Sequence, residues 1–178
     1  MNYLWAKHNK PIMRKKIVAG NWKMNKNFSD GLTLASEVVN IVNDELNDDV
    51  IVIMCSPFIH LAQVAKNAQE SDKVFVGAQN MSEHTAGAYT GDISAEMIKS
   101  VGAEYVILGH SERRQYHNET NDQLAKRVDL ALEMGLTPIF CCGESLEIRE
   151  SGKEVSYVCN QLTESLFHLT EDEIQKIV

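Results

Sequence analysis

Five short apolar runs, each followed by a stretch with helical spacing, constrain this chain more than any other feature. The runs are "KIVAG" (16–20), "DVIVIMC" (49–55), "KVFVGA" (73–78), "YVILG" (105–109) and "TPIFCC" (137–142). They are nearly continuous in apolar residues and do not alternate with polar ones. A strand of that kind is covered on both faces, which is the mark of a parallel sheet flanked by helices. Between them, "SDGLTLASEVVNIVNDEL" (29–46) places apolar residues at helical spacing, with Ser29 as the expected N-cap. Ser56 is expected to cap a helix over 57–69, with Pro57 at its first position. A polar loop, 79–93, precedes a helix starting near Ser94. Thr120 with Gln123 reads as a capping box opening a helix over 120–134, and Gly135 sits where a left-handed C′ residue belongs. A helical stretch follows at 153–168, then a second capping signature at Thr170 and Glu173, then "KIV" (176–178) as the start of a sixth strand. This rhythm fits a doubly wound open sheet or part of a (β/α)₈ barrel.

Length and charge narrow the function classes. A chain of 178 residues is enough for one domain with a real core. The net charge of −8 argues against nucleic acid or an anionic membrane as partner, so an anionic ligand has to be held by local positive groups. No apolar run approaches the roughly 18 residues of a membrane span. The four cysteines, Cys55, Cys141, Cys142 and Cys159, make neither a disulfide frame nor a zinc frame, which suits buried thiols in a reducing, cytoplasmic setting. Residues 1–12 lack the apolar core of a signal peptide and are read as a mobile N-terminal extension, leaving 13–178 as the folded domain.

Neither G-x-G-x-x-G nor G-x-x-x-x-G-K-[ST] occurs after any strand. What does follow the strands is polar: Asn21, Trp22 and Lys23 after the first, Gln79 and Asn80 after the third, His110 and Glu112 after the fourth, Glu144 after the fifth. Parallel α/β proteins of both kinds place their sites at that end of the sheet. His110 follows Gly109 directly and opens a helical turn at Ser111. Partial positive charge at a helix start disfavours imidazolium, and a neutral ring can donate a hydrogen bond to a carbonyl. Lys23, set between Trp22 and Met24 beyond a buried strand, is a fixed ammonium able to attract phosphate or carboxylate. By type alone Arg113 and Arg114 are expected to form structural ion pairs, Glu144 to pair with an arginine, and Cys141 to be a packed small residue. The six histidines show no metal-ligand spacing.

Four segments then carry a resemblance: "AGNWKMN" (19–25), "GAQNMSEHTAGAYTGDIS" (77–94), "VILGHSERR" (106–114) and "CCGE" (141–144). In order and rough spacing they resemble the triosephosphate isomerase family, from about Met13 to the last residue. The resemblance implies a (β/α)₈ TIM barrel, here incomplete, running from β1 to the start of β6. It implies the interconversion of dihydroxyacetone phosphate and D-glyceraldehyde 3-phosphate in glycolysis and gluconeogenesis, with no cofactor and no metal. Asn21 and Lys23 become substrate-binding residues, His110 the neutral electrophile, Lys23 a further catalytic residue, and Glu112 a supporting acid. Tyr89, Thr90 and Gly91 fall on the family's projecting loop, which docks into the second subunit of a homodimer. The family's catalytic base lies in a motif like A-Y-E-P-[VI]-W-A-I-G-T-G after strand 6, which these residues do not contain. On that reading the chain alone is expected to be inactive and to associate. The competing expectation is a non-catalytic phosphate-binding α/β module or an assembly fragment.

Overall fold

The computed structural model describes residues 15–178. The extension expected at 1–12 lies outside the described residues. Five strands form one sheet: β1 (Lys16–Asn21), β2 (Val50–Ser56), β3 (Val74–Ala78), β4 (Tyr105–Leu108) and β5 (Thr137–Phe140). They are all parallel and stand side by side in chain order, and the sheet curls as in an incomplete barrel. The expected sixth strand is present as a single ladder position. Val178 donates its N–H to the Pro138 carbonyl and accepts from the Phe140 N–H, both at 2.9 Å, as the next parallel strand would.

The helices are α1 (Phe28–Glu45), α2 (Phe58–Ala68), α3 (Ala95–Ser100), α4 (Ser111–Tyr116), α5 (Asn121–Glu133), α6 (Leu146–Glu150), α7 (Glu154–Leu166) and α8 (Glu171–Ile174). The strand period of two sends successive side chains to opposite faces. Met54, Val74, Val76, Val106 and Leu108 face the helices and join Val39, Leu61, Val64, Leu124 and Val128 in the main core. Burying each such side chain contributes about 1.5–3 kcal/mol. Ile53, Cys55 and Ile107 project from the concave face and form a second, smaller cluster. Desolvation there pushes the Cys55 thiol up to about 12.

Both capping boxes and the Ser94 cap form as read from the sequence. Gly135 has φ +68, and behind it Leu136 N–H reaches the Ala131 carbonyl at 2.8 Å, closing α5 in a Schellman turn. Three local expectations are corrected. The cap of α1 is Asn27, whose Oδ1 accepts the Asp30 N–H at 3.0 Å. Ser29 lies inside the helix and donates its hydroxyl to that same oxygen. Ser56 is the buried last residue of β2 and makes no capping bond, while Pro57 takes the N-cap position in extended backbone. α6, absent from the sequence reading, starts at Ser145, whose hydroxyl accepts the Ile148 N–H.

Candidate active site

The mouth is built at the C-terminal ends of β1, β3 and β4. β1 ends at Asn21, whose Oδ1 accepts the Lys23 N–H at 2.9 Å. Lys23 has φ +52, a left-handed conformation that costs a residue with a Cβ roughly 1–2 kcal/mol. β4 ends in Gly109, at φ +75, where a Cβ would come within 2.9 Å of the Cys141 carbonyl oxygen. Only glycine fits that turn, and the turn places His110 at the N-cap of α4.

His110 Nδ1 accepts the Glu112 N–H at 3.3 Å. A nitrogen that accepts there keeps its lone pair, so the neutral ring carries its proton on Nε2. Glu112, in the first turn of α4, takes Lys23 Nζ at 2.7 Å on Oε1 and stands 3.5 Å from His110 Nδ1 through Oε2. The hydrogen bond from Lys23 holds the Glu112 carboxyl below its ordinary value; desolvation opposes it, and the charges of Lys23 and His110 add to the lowering. The pair is exposed, 52% and 42% for the two side chains, so it fixes direction more than stability. Asn21, Lys23, Gln79, His110 and Glu112 all line one cleft of about 620 Å³. Among the described residues the Asn21 side-chain amide, as a donor, has no partner.

Asn80 and Arg113 line this cleft as well, whereas Tyr89, Thr90, Gly91, Arg114, Cys141 and Glu144 stand apart from it. Tyr89, Thr90 and Gly91 occupy the exposed tip of loop 79–93, with Gly91 at φ +94. The loop is braced by the Ser82 hydroxyl on Asp92 at 2.6 Å and by stacking of Tyr89 on His84, centroids 3.7 Å apart. Glu144 pairs with Arg149, at 2.8 Å to Arg149 Nε. Arg113 forms an ion pair, to buried Glu119 at 2.6 Å. Arg114 does not. It donates to the Gly109 carbonyl at 2.8 Å, the Asn121 side chain at 2.6 Å and the Cys141 carbonyl at 3.2 Å, because the β4 and β5 tips present acceptors there and no carboxylate. Cys141 is half-buried, and desolvation, with the neighbouring Cys142, raises its thiol.

Sequence reasoning missed two features that serve this mouth. One is His60, fully buried between α1 and α2, with Nε2 2.8 Å from the Asn27 carbonyl and its ring filling the space beside Gly31. The other is the Arg113–Glu119–Arg127–Asn80 chain, in which Arg127 reaches Glu119 at 2.5 Å and Asn80 at 3.2 Å. It ties the base of loop 79–93 to the helix behind His110.

The family model described as triosephosphate isomerase matches residues 16–178. The chain belongs to that family. It is 57% identical to the triosephosphate isomerase of Cytophaga hutchinsonii over 166 residues, covering 93% of this chain and 65% of that one. It is 52% identical to the triosephosphate isomerase of Bacteroides fragilis over 167 residues, with 93% and 65% covered. The match to the Amoebophilus asiaticus triosephosphate isomerase is 45% over 166 residues, with 93% and 66% covered. The chain therefore spans just under two thirds of the length of these relatives. The family accounts for five parallel strands in chain order, since an eight-stranded barrel is wound in that order. Among the described residues no group of three or more His, Cys, Asp and Glu could hold a metal ion, and no helix is long and apolar enough to cross a membrane.

Proposed function

We propose that this mouth binds a triose phosphate for isomerisation between dihydroxyacetone phosphate and D-glyceraldehyde 3-phosphate. The observation that carries the proposal is the meeting of Asn21, Lys23 and His110, from two separate strand tips, around one cleft. The His110 Nε2–H, fixed by the Glu112 N–H on the opposite nitrogen, polarises the substrate carbonyl and passes protons between the two oxygens of the enediol. The Lys23 ammonium attracts the phosphate dianion and offsets negative charge as the enediolate forms. The Asn21 amide, its oxygen already engaged by Lys23, donates through nitrogen to the ligand. Glu112 orients both cationic and neutral partners.

Removal of the carbon-bound proton needs a base near physiological pH. Glu112 is held ionised by Lys23 and lowered in pKa, which makes it a weak base, and His110 is committed to the oxygens. The reading therefore assigns that step to a group outside these residues and expects the 178-residue chain to bind ligand with little or no turnover. In the whole enzyme the protein is a cytoplasmic homodimer, with Tyr89, Thr90 and Gly91 docking on the partner. The exposed, internally braced loop supports this. The test is an isomerase assay on the purified chain beside its His110→Gln variant. Turnover no higher than buffer in both is expected. Turnover in the unmodified chain that disappears in the variant would contradict the assignment of the base elsewhere.

A further inference from the structure

The conformation of Lys23 has a cost, and the groups that meet it come from side chains. The Lys23 N–H is taken by Asn21 Oδ1 at 2.9 Å. The Lys23 carbonyl is taken by Gln79 Nε2 at 3.0 Å, and the same nitrogen lies 3.0 Å from the Cys55 carbonyl. Both neighbours of Nε2 are acceptors only, so the amide must face them with its two hydrogens. Cys55 O also receives the Trp22 N–H at 3.0 Å, the last rung between β1 and β2. Gln79, just past the end of β3, thus spans from β2 to the loop beyond β1 and clamps Lys23; Lys26, the other left-handed lysine of that loop at φ +72, has no such clamp among the described residues.

We infer that Gln79 is a positioning residue, whose two-hydrogen clamp on the Lys23 and Cys55 carbonyls keeps Lys23 left-handed and so aims its ammonium into the cleft. Without the clamp the Lys23 carbonyl loses its partner and the residue relaxes to an ordinary backbone conformation, carrying Nζ away from Glu112. The inference rests on the reading of Lys23 as the ligand's cation, but its primary readout needs no ligand.

The experiment uses Gln79→Met, which keeps length and removes both hydrogens without adding charge. The Glu112 carboxyl is followed by ¹³C NMR in a pH titration, and glycerol 3-phosphate is titrated into both proteins. In the unmodified chain the Glu112 midpoint lies below the ordinary glutamate value. In Gln79→Met it moves up to that value, and the glycerol 3-phosphate Kd weakens about tenfold, as loss of one fixed ammonium contact implies. An unchanged Glu112 midpoint in folded Gln79→Met overturns the inference. If the unmodified chain binds no glycerol 3-phosphate, the ligand reading fails, and the Glu112 midpoint still judges Gln79. Should the variant not fold, hydrogen exchange of the Gln79 side-chain amide in the unmodified chain decides. Protection relative to a solvent-exposed glutamine supports the clamp, and free exchange refutes it.

Discussion

Two clefts share His110, and they differ in what their polar groups are already doing. The larger, about 770 Å³, is walled by Gly109, Cys141, Cys142, Tyr157, Gln161 and the cation Arg114. There Arg114 is engaged by three acceptors, and Gln161 is bound in both directions to the Gly143 backbone, at 2.9 Å and 3.1 Å. Glu144, on the same wall, is held by Arg149. The smaller cleft, about 620 Å³, has a cation whose partner is an exposed carboxylate, an imidazole with its Nε2–H unused among the described residues, and a side-chain amide with donors to spare. Volume would favour the first. Unspent hydrogen-bonding capacity favours the second, because a ligand there replaces water and a surface ion pair worth about 0–1 kcal/mol, and no buried network has to be broken. The larger cleft is a structural seam joining the β4 and β5 tips to α4, α6 and α7.

That contrast can be broken most directly at the two cations. Arg114→Met leaves the Gly109 and Cys141 carbonyls and the Asn121 side chain without their donor, and is expected to cost about 2–4 kcal/mol in urea unfolding. Lys23→Met in the same assay is expected to change stability by less than about 1 kcal/mol. If the two cost the same, the distinction between a spent and an available cation is lost.

A smaller effect sharpens the picture at the pair itself. The folded Glu112 pKa lies below its unfolded value, so the stabilisation it gives is present above the ordinary glutamate value and is lost as pH falls through the lower, folded midpoint. Glu112→Gln is therefore expected to unfold slightly more easily than the unmodified chain at pH 7. Their unfolding midpoints should converge below the folded Glu112 midpoint. A gap that persists there, or opens only at acid pH, would mean that Glu112 acts through packing.

How much of this was legible beforehand follows from where each signal resides. Strand positions and the Thr120, Thr170, Ser94 and Gly135 punctuation were readable because each depends on neighbours within four residues, and the barrel alternative because strand and helix signals alternate along the whole chain. The N-cap of α1 was misplaced by two residues because Asn27 and Ser29 are both good caps. Which one wins depends on His60, from α2, holding the Asn27 carbonyl. Arg114 differs from expectation for a related reason: two of its three partners are backbone carbonyls, which leave no trace in a sequence. Asn21, Lys23 and His110 could be placed at strand ends, yet their meeting depends on the order of strands in the sheet, and the role of Gln79 depends on the β2–β3 pairing that sets it beside Cys55.

The central claim is that Asn21, Lys23 and His110 form one mouth for a three-carbon phosphate. Calorimetric titration of glycerol 3-phosphate into the chain and its Lys23→Met and Arg114→Met variants tests it most directly. The account predicts saturable one-site binding, weakened about tenfold or more by Lys23→Met and left intact in folded Arg114→Met. Binding that survives Lys23→Met but is lost in folded Arg114→Met would place the ligand in the other cleft and contradict the claim.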